Sequence, residues 1–382
     1  VAEIPSGVAG GAGSAGTAGP VRVVGTGLLG SSVGLALRAV GVDVVLHDPS
    51  RTTVQLARDV GAGRLPAGTE PEPTLIVVAA PPDVTAEVVL AELAAHPGAV
   101  VTDVASVKGS VAAAVAAGGG DLRRYVGSHP MAGSERSGPT AARPDLFAGR
   151  PWVVVAGPDA DPAAVRAVRT LAVDLGATPV ALSPDEHDAA VALVSHVPQV
   201  AASLVAARLR EASAAALDLA GQGLRDTTRI AASDPGLWTS ILSANAGAVA
   251  PVLRALRADL DALLGALDAA AEAAPDAGHH PHGALGTLAG TIAAGNQGVA
   301  RIPGKHGGSA AAYDVVTVLV PDRPGELGRL LVDMGHAGIN LEELAIDHAP
   351  SQPVGLASVS VLRGLGPTLE VELAARGWRV AG

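Results

Sequence analysis

The string Gly127-Ser128-His129-Pro130-Met131-Ala132-Gly133-Ser134-Glu135 places an imidazole among small and polar residues directly after an apolar run. Histidine titrates nearest neutral pH, so His129 is the natural acid or base of the chain. A second polar cluster, Asp103-Val104-Ala105-Ser106-Val107-Lys108, follows an earlier apolar run in the same way. Open α/β sheets bind ligands at the ends of their strands, where both clusters fall. Further along, the stretch from Gly221 to Ala231 is densely polar and precedes Ser233, Asp234-Pro235 and Trp238. Arg225 and Arg229 would share a face if this stretch is helical, and a guanidinium there can grip a carboxylate with two hydrogen bonds. Two other strings look metal-like. His279-His280-Pro281-His282 has no carboxylate or cysteine set beside it and reads as a solvated linker. Asp185-Glu186-His187-Asp188 reads as a charged first helical turn, with the acids favoured by the helix dipole. No metal is expected.

The elements that must position these residues begin at Val21. Short Val-rich runs at Val21–Gly25, Val42–Asp48, Thr74–Ala80, Ala99–Val104 and Arg124–Ser128 alternate with helical stretches, as parallel strands covered on both faces do. Two further strands, Pro151–Ala156 and Thr178–Leu182, flank a helix and close a doubly wound α/β domain. Gly25-Thr26-Gly27-Leu28-Leu29-Gly30 lies between the first strand and the first helix. Gly25 permits the tight turn, Gly27 lets the backbone approach a pyrophosphate, and Gly30 lets helix pack on strand. The helix start at Leu28 and Leu29 supplies amide donors and a partial positive charge for the anion. Asp48 closes the second strand, where an acid accepts from the ribose hydroxyls of NAD and repels the 2′-phosphate of NADP. Arg51 could stack on adenine or answer that phosphate. The expected cofactor is NAD.

Composition narrows the remaining classes. The 382 residues suffice for two or three domains, and 48% apolar against 16% charged residues permits a sizeable core. A net charge of −11 argues against nucleic-acid binding, because no basic field is available for phosphates. The lack of cysteine removes disulfides, thiolate nucleophiles and iron–sulfur clusters together. The sequence shows no apolar run approaching the roughly 18 residues of a membrane span and no signal-peptide pattern at its start, so no membrane partner is expected and the location expected is cytoplasmic.

Five segments follow: a Gly/Ala-rich disordered leader over 1–19, the nucleotide-binding domain over 20–182, a helical domain over 183–303, a linker over 304–312 and a last module over 313–382. Residues 186–271 read as helical throughout. Val249, Val252, Leu256, Leu260, Leu263 and Leu267 form one stripe, either a dimer interface or the domain's own core. Pro198 should kink or begin a helix, and Asp234-Pro235 is a good helix start. No role follows for Lys305 or His306. The last module reads as βαββαβ, the order of a ferredoxin-like fold.

With these strings in view, the chain closely resembles the TyrA family of prephenate/arogenate dehydrogenases with an added C-terminal ACT domain. The resemblance rests on GTGLLGSSVGLAL, DVASVKG, GSHPMAGSERSG, DEHD, SHVPQ and GLRDTTRIAASDPGLW, and covers nearly all the chain after residue 20. It implies NAD-dependent oxidative decarboxylation of prephenate to 4-hydroxyphenylpyruvate in tyrosine biosynthesis, by a homodimer joined through its helical domain. It implies that His129 takes the proton of the ring hydroxyl and that Ser106 helps hold that hydroxyl and the imidazole. Arg229 would bind a substrate carboxylate, Glu135 and Asp226 would belong to the surrounding ionic network, and His196 would line the pocket. Many relatives carry SHLPH where this chain has Ser195-His196-Val197-Pro198-Gln199, and the neutral Gln199 leaves arogenate, or an amino-substituted prephenate, as an alternative substrate. The last module resembles ACT domains through Val320–Leu327 and Gly338-Ile339-Asn340. That resemblance implies an aromatic amino acid effector, tyrosine, bound near Asp322, Gly325, Leu327 and Asn340. A non-catalytic sensor of NAD and amino acids is the contrasting reading; Ser106, His129 and Arg229 together argue against it.

Overall fold

The computed structural model describes residues 15–133, 136–272, 283–303, 313–348 and 354–381. The chain divides into two compact units, Val1–Leu204 with Ile230–Leu253, and Val205–Arg229 with Arg254–Gly382.

In the first unit, β1 (Val21–Val24), β2 (Val44–His47), β3 (Leu75–Val78) and β4 (Val100–Asp103) form a parallel sheet in the order β2-β1-β3-β4. The crossovers are α1 (Leu28–Ala39), α2 (Arg51–Asp59) and α3 (Pro82–Ala95), and α4 (Gly109–Ala117) follows β4. Val21, Val23, Leu75 and Val77 face one core with Leu37 of α1. Val24, Ile76 and Val78 face another with Val89 of α3 and Val111 of α4. Burial on both faces is why these strands read as unbroken apolar runs.

The fifth expected parallel strand departs from that pattern. It forms β5 (Val126–Pro130), which pairs antiparallel with β6 (Pro151–Ala156) in a separate three-stranded sheet; an isolated Val101–Tyr125 bridge and the Ser128 hydroxyl, which bonds to the Thr102 hydroxyl and the Asp103 carbonyl, tie it to β4. The reason lies in the connection. Among the described residues, 131–150 holds one 3₁₀ turn, Pro139–Ala141, and no crossover helix to bring the chain back in parallel. From β6 onward the expectation holds: α5 (Pro162–Asp174) carries the chain to β7 (Thr178–Ala181), parallel to β6. Residues 15–19, read as part of a leader, are anchored here. The Thr17 N–H donates to Asp174 Oδ2 at 2.7 Å, and Ala15 packs against the core. Residues 1–14 lie outside the described residues.

Helices follow. Ser183 and Glu186 form a reciprocal capping box at the start of α6 (Pro184–Val191), with Pro184 in the first turn. A π-helical turn, Ala192–His196, separates α6 from α7 (Val197–Arg208). Pro198 has no N–H for the regular ladder, and the wider turn just before it re-aims the helix. The run Pro184–Glu211 is long and apolar enough, at a mean hydropathy of 1.6, to cross a membrane by length and composition alone, which corrects the sequence reading. Three of its polar residues, His187, His196 and Gln199, are buried, whereas Leu193, Val194, Leu204 and Val205 are exposed.

The helical region continues with α8 (Ala214–Asp218), α9 (Gln222–Thr228), α10 (Pro235–Ala244), α11 (Ala246–Glu272) and α12 (Ala284–Val299). Asp234 caps α10 by accepting from the Leu237 N–H at 2.7 Å, as its sequence predicts. The α11 stripe splits. Val249 is buried with Ala192 and Val197, whereas Leu256, Leu260 and Leu267 stand exposed.

The last module is β8 (Tyr313–Pro321), α13 (Glu326–His336), β9 (Glu343–His348), β10 (Val354–Leu362), α14 (Gly366–Ala375) and β11 (Arg379–Ala381). Its antiparallel sheet has the order β11-β8-β10-β9, the expected βαββαβ fold. Val316, Val318, Val359 and Val361 meet Leu330 and Leu373 in its core. Gly325, at φ +90°, turns the chain into α13, a conformation that a side chain resists. The linker with Lys305 and His306 and the tract His279-His280-Pro281-His282 lie outside the described residues.

Candidate active site

The glycine fingerprint divides its labour visibly. Gly25 sits at φ +91°, and a Cβ on it would lie 2.4 Å from the Ala79 carbonyl oxygen; on Gly30 it would lie 1.9 Å from the Gly25 oxygen. Those two glycines are demanded by the fold. Gly27 is not: it has an ordinary φ of −69°, and nothing lies within 4 Å of where its Cβ would be. Open space beside a glycine that the fold does not need is what a closely approaching pyrophosphate requires. The Asp48 carboxylate is held at the end of β2 by the Thr26 N–H (2.7 Å), the Thr26 hydroxyl (3.0 Å) and the Ser50 N–H (2.8 Å). Arg51 starts α2 and is exposed.

At the end of β4 stands a buried charge cluster that sequence reasoning noted only as polar. Lys108 and Asp103 are both fully buried and form an ion pair. The Tyr125 hydroxyl donates to Asp103 Oδ2 at 2.8 Å, and the Ala105 N–H to Oδ1 at 2.9 Å. Burial lowers the Lys108 ammonium from its ordinary value, against the pull of Asp103, and raises the Tyr125 phenol. With its charges paired and its acceptors filled, the cluster fixes the loop that carries Ser106. Ser106 is half-buried and makes no hydrogen bond among the described residues.

His129 on β5 is partly exposed, and its partner was not foreseen. Its Nδ1 lies 2.8 Å from Nε2 of His187, a fully buried residue of α6. Burial of the ring first, and then the nearby His187, Lys108 and His196, hold the His129 pKa well below the histidine norm. The lowered pKa favours the neutral imidazole, which has a lone pair able to accept a proton, at neutral pH. His187 Nδ1 lies 2.7 Å from Asp188 Oδ1. Asp188 Oδ1 also accepts from the Lys108 N–H, and Oδ2 from the Gly109 N–H, both at 2.8 Å. Burial opposes ionisation of Asp188, but these hydrogen bonds hold its carboxyl below the ordinary value. The signal for His187 was its spacing: His187 and Val191 lie four apart and form the buried face of α6.

His196, at the π turn, is buried. The Asn245 amide donates to its Nδ1 at 3.1 Å and to the Asp188 carbonyl at 2.9 Å, while Trp238 stands edge-on to the ring. An imidazole that accepts at Nδ1 carries its proton at Nε2, so neutral His196 offers an N–H donor. Burial keeps it neutral by lowering its pKa. Gln199 is buried on α7, 3.4 Å from the Ser203 hydroxyl and 3.5 Å from that of Ser233. In the second unit, Arg225 and Asp226 are exposed on α9, and Asp226 accepts from Gln222 at 2.8 Å. α9 ends at Thr228, so the exposed Arg229 begins a 3₁₀ turn and the expected single helical face breaks between the two arginines. Glu135 lies outside the described residues.

The glycine turn between β1 and α1, the histidine on β5 and the helical region that follows can be set beside known proteins. The nucleotide-binding domain of prephenate dehydrogenase matches residues 33–194, and the dimerization domain of prephenate dehydrogenase matches residues 183–273. A relative described as a probable prephenate dehydrogenase, NovF of Streptomyces niveus, is 39% identical over 365 residues, which span 93% of this chain and 98% of the relative. The chain belongs to the prephenate dehydrogenase family. Its activity is that of a prephenate dehydrogenase, an NAD-linked oxidoreductase. The prephenate dehydrogenase of Aquifex aeolicus, solved with hydroxyphenyl propionate and NAD+, superposes with a TM-score of 0.61 at 25% identity, covering 72% of this chain and 97% of that one. The Synechocystis arogenate dehydrogenase gives a TM-score of 0.58 at 26% identity, covering 73% and 99%. The family's two domain matches end at residue 273, before the ferredoxin-like module begins.

Proposed function

We propose that this prephenate dehydrogenase converts prephenate to 4-hydroxyphenylpyruvate and CO2 with His129 as its base. The observation that carries this is a partly buried imidazole on β5, its Nδ1 2.8 Å from His187 Nε2 and its pKa lowered by burial, in the same unit as the glycine cradle. Gly25, Gly27, Gly30, the amides of Leu28 and Leu29, and Asp48 hold NAD, with Arg51 toward the adenine end. Bound NAD supplies a hydride acceptor. His129 takes the proton from the ring hydroxyl as the hydride leaves the same carbon. Ser106 holds that hydroxyl in place. Loss of the ring carboxylate as CO2 then gives an aromatic ring, so positioning and proton acceptance are most of what the protein must provide. Arg229 grips a substrate carboxylate, Asp226 and Glu135 balance its charge, and the His196 N–H donor and Gln199 meet the pyruvyl side.

The neutral Gln199 favours one second reading, that arogenate is the substrate. Turnover measured as NADH absorbance on prephenate and on arogenate separates the two. The proposal expects prephenate to have the higher kcat/KM, and the reverse order assigns the enzyme to arogenate.

Asp48 should make NAD the preferred cofactor over NADP, and Asp48→Ser should narrow the preference by removing repulsion of the 2′-phosphate. Paired kcat/KM values check this; a wild-type preference for NADP would mean that Arg51 outweighs Asp48.

The enzyme acts as a cytoplasmic homodimer through the exposed leucines of α11, which sedimentation at micromolar concentration tests. Tyrosine binds the ferredoxin-like module at Asp322, Gly325 and Leu327, where β8 turns into α13, and at Asn340, between α13 and β9, and inhibits from there. Such coupling is typically about 1–3 kcal/mol, or roughly 5–150-fold in affinity. Deleting residues from Ala310 onward should abolish inhibition while activity persists. An active truncated enzyme with full tyrosine sensitivity would place the inhibitor in the catalytic site instead.

A further inference from the structure

His187 and Asp188 belong to neither the nucleotide cradle nor the substrate contacts, yet they are built in with unusual completeness. His187 is fully buried, one turn inside a doubly capped helix. Asp188 accepts from the amides of Lys108, the N-cap of α4, and Gly109, its first residue, 80 and 79 residues away in sequence. Gly109 makes this approach possible: a Cβ there would lie 2.8 Å from Asp188 Oδ2. The result is a continuous chain, His129 Nδ1 to His187 Nε2 at 2.8 Å, then His187 Nδ1 to Asp188 Oδ1 at 2.7 Å.

The chemistry of the chain fixes its protons. An ionised carboxylate only accepts, so His187 must carry its proton at Nδ1. A neutral His187 then presents a lone pair at Nε2. The short contact to His129 needs one proton between the two nitrogens, and His187 cannot supply it. His129 therefore holds its proton at Nδ1 and leaves Nε2 as the lone pair. Only that tautomer can accept a proton from a substrate hydroxyl through Nε2.

We infer that His187 and Asp188 are positioning residues that set the tautomer and ring orientation of His129, a buried His–Asp relay anchored on the amides at the start of α4. This rests on the reading of His129 as the base. As His129 takes up the substrate proton it becomes a cation with both nitrogens protonated, its Nδ1–H still donating to His187. The Asp188 anion at the end of the chain stabilises that cation through His187. The other charged or titratable groups that face the ring are Lys108 and His196, and both oppose its protonation.

Asp188→Asn tests the relay. The amide oxygen in the Oδ1 place can still accept from His187 Nδ1 and the Lys108 N–H, while Nδ2 meets the Gly109 N–H as donor against donor; what the variant loses is the anion that stabilises the His129 cation through His187. A catalytic triad suffers a loss of about 10⁴ from the equivalent change. Here kcat for prephenate should fall roughly 10²–10⁴-fold with KM and NAD affinity little changed, and the acid limb of kcat should shift to lower pH. His187→Gln, whose side-chain oxygen can still accept from His129, should retain more kcat than His187→Leu. Nitrogen-15 NMR of the wild-type protein reads the tautomers directly and needs no variant: both His129 and His187 should carry their protons at Nδ1. A His129 proton at Nε2 in wild type would overturn the relay, as would Asp188→Asn with more than half the wild-type kcat, or equal losses in His187→Gln and His187→Leu. If His129→Asn stays active, the assignment of the base fails instead. The NMR tautomers still decide the relay in that case.

Discussion

Replacing His129 with Asn is expected to lower kcat for prephenate by about 10²–10⁴, the usual worth of a positioned general base. Asparagine can accept a hydrogen bond at the same place but cannot take up the proton that must leave the hydroxyl. Affinity for NAD should barely change, because the cradle between β1 and α1 makes no hydrogen bond to β5 among the described residues. Steady-state turnover at saturating substrate, with NAD affinity measured by fluorescence titration, checks both halves. A His129→Asn enzyme with more than half the wild-type kcat would remove this residue from the mechanism.

The second large effect is expected at Arg229. If its guanidinium grips a substrate carboxylate, Arg229→Ala should cost about 3–5 kcal/mol, or roughly 10²–10⁴ in kcat/KM. Much of that cost comes from leaving an anion unpaired away from water. Exposure of Arg229 in the free chain suits a residue whose partner arrives with the substrate. The loss should fall mainly on KM for prephenate. An unchanged KM would assign the grip to Arg225, which the end of α9 aims differently.

Much of this was legible from local sequence because local physics decides it. Gly25 and Gly30 are required by a turn and a helix–strand contact only residues apart, and Asp234-Pro235 caps α10 with its own side chain. The βαββαβ order of the last module follows from alternating runs and turn residues in the same way. What escaped depends on distant parts of the chain. The apolar run at β5 looks like any parallel strand, and its direction is set by the connection over 131–150, which holds no α-helix among the described residues. The string Asp185-Glu186-His187-Asp188 reads as a solvated first turn because its composition is charged. That holds for Asp185 and Glu186, which lie in the first turn. The next two residues turn inward, and what they meet is 58 residues away for His187 and 80 for Asp188. The Asp103–Lys108 ion pair was hidden for a related reason: burial of a lysine is decided by Tyr125 and by packing around it, not by its neighbours in sequence.

The pH dependence of kcat/KM for prephenate tests the central claim most directly, because it reports ionisations of the free enzyme. An imidazole works as a base only when neutral. Burial and the nearby His187, Lys108 and His196 lower its pKa, so proton uptake is postponed to more acid solution. Activity should therefore stay level as pH falls through the ordinary histidine value of about 6.5 and drop only below it. The residual activity of His129→Asn should lack that limb. An acid limb centred above 6.5, or one that persists unchanged in His129→Asn, would contradict the assignment of His129 as the base.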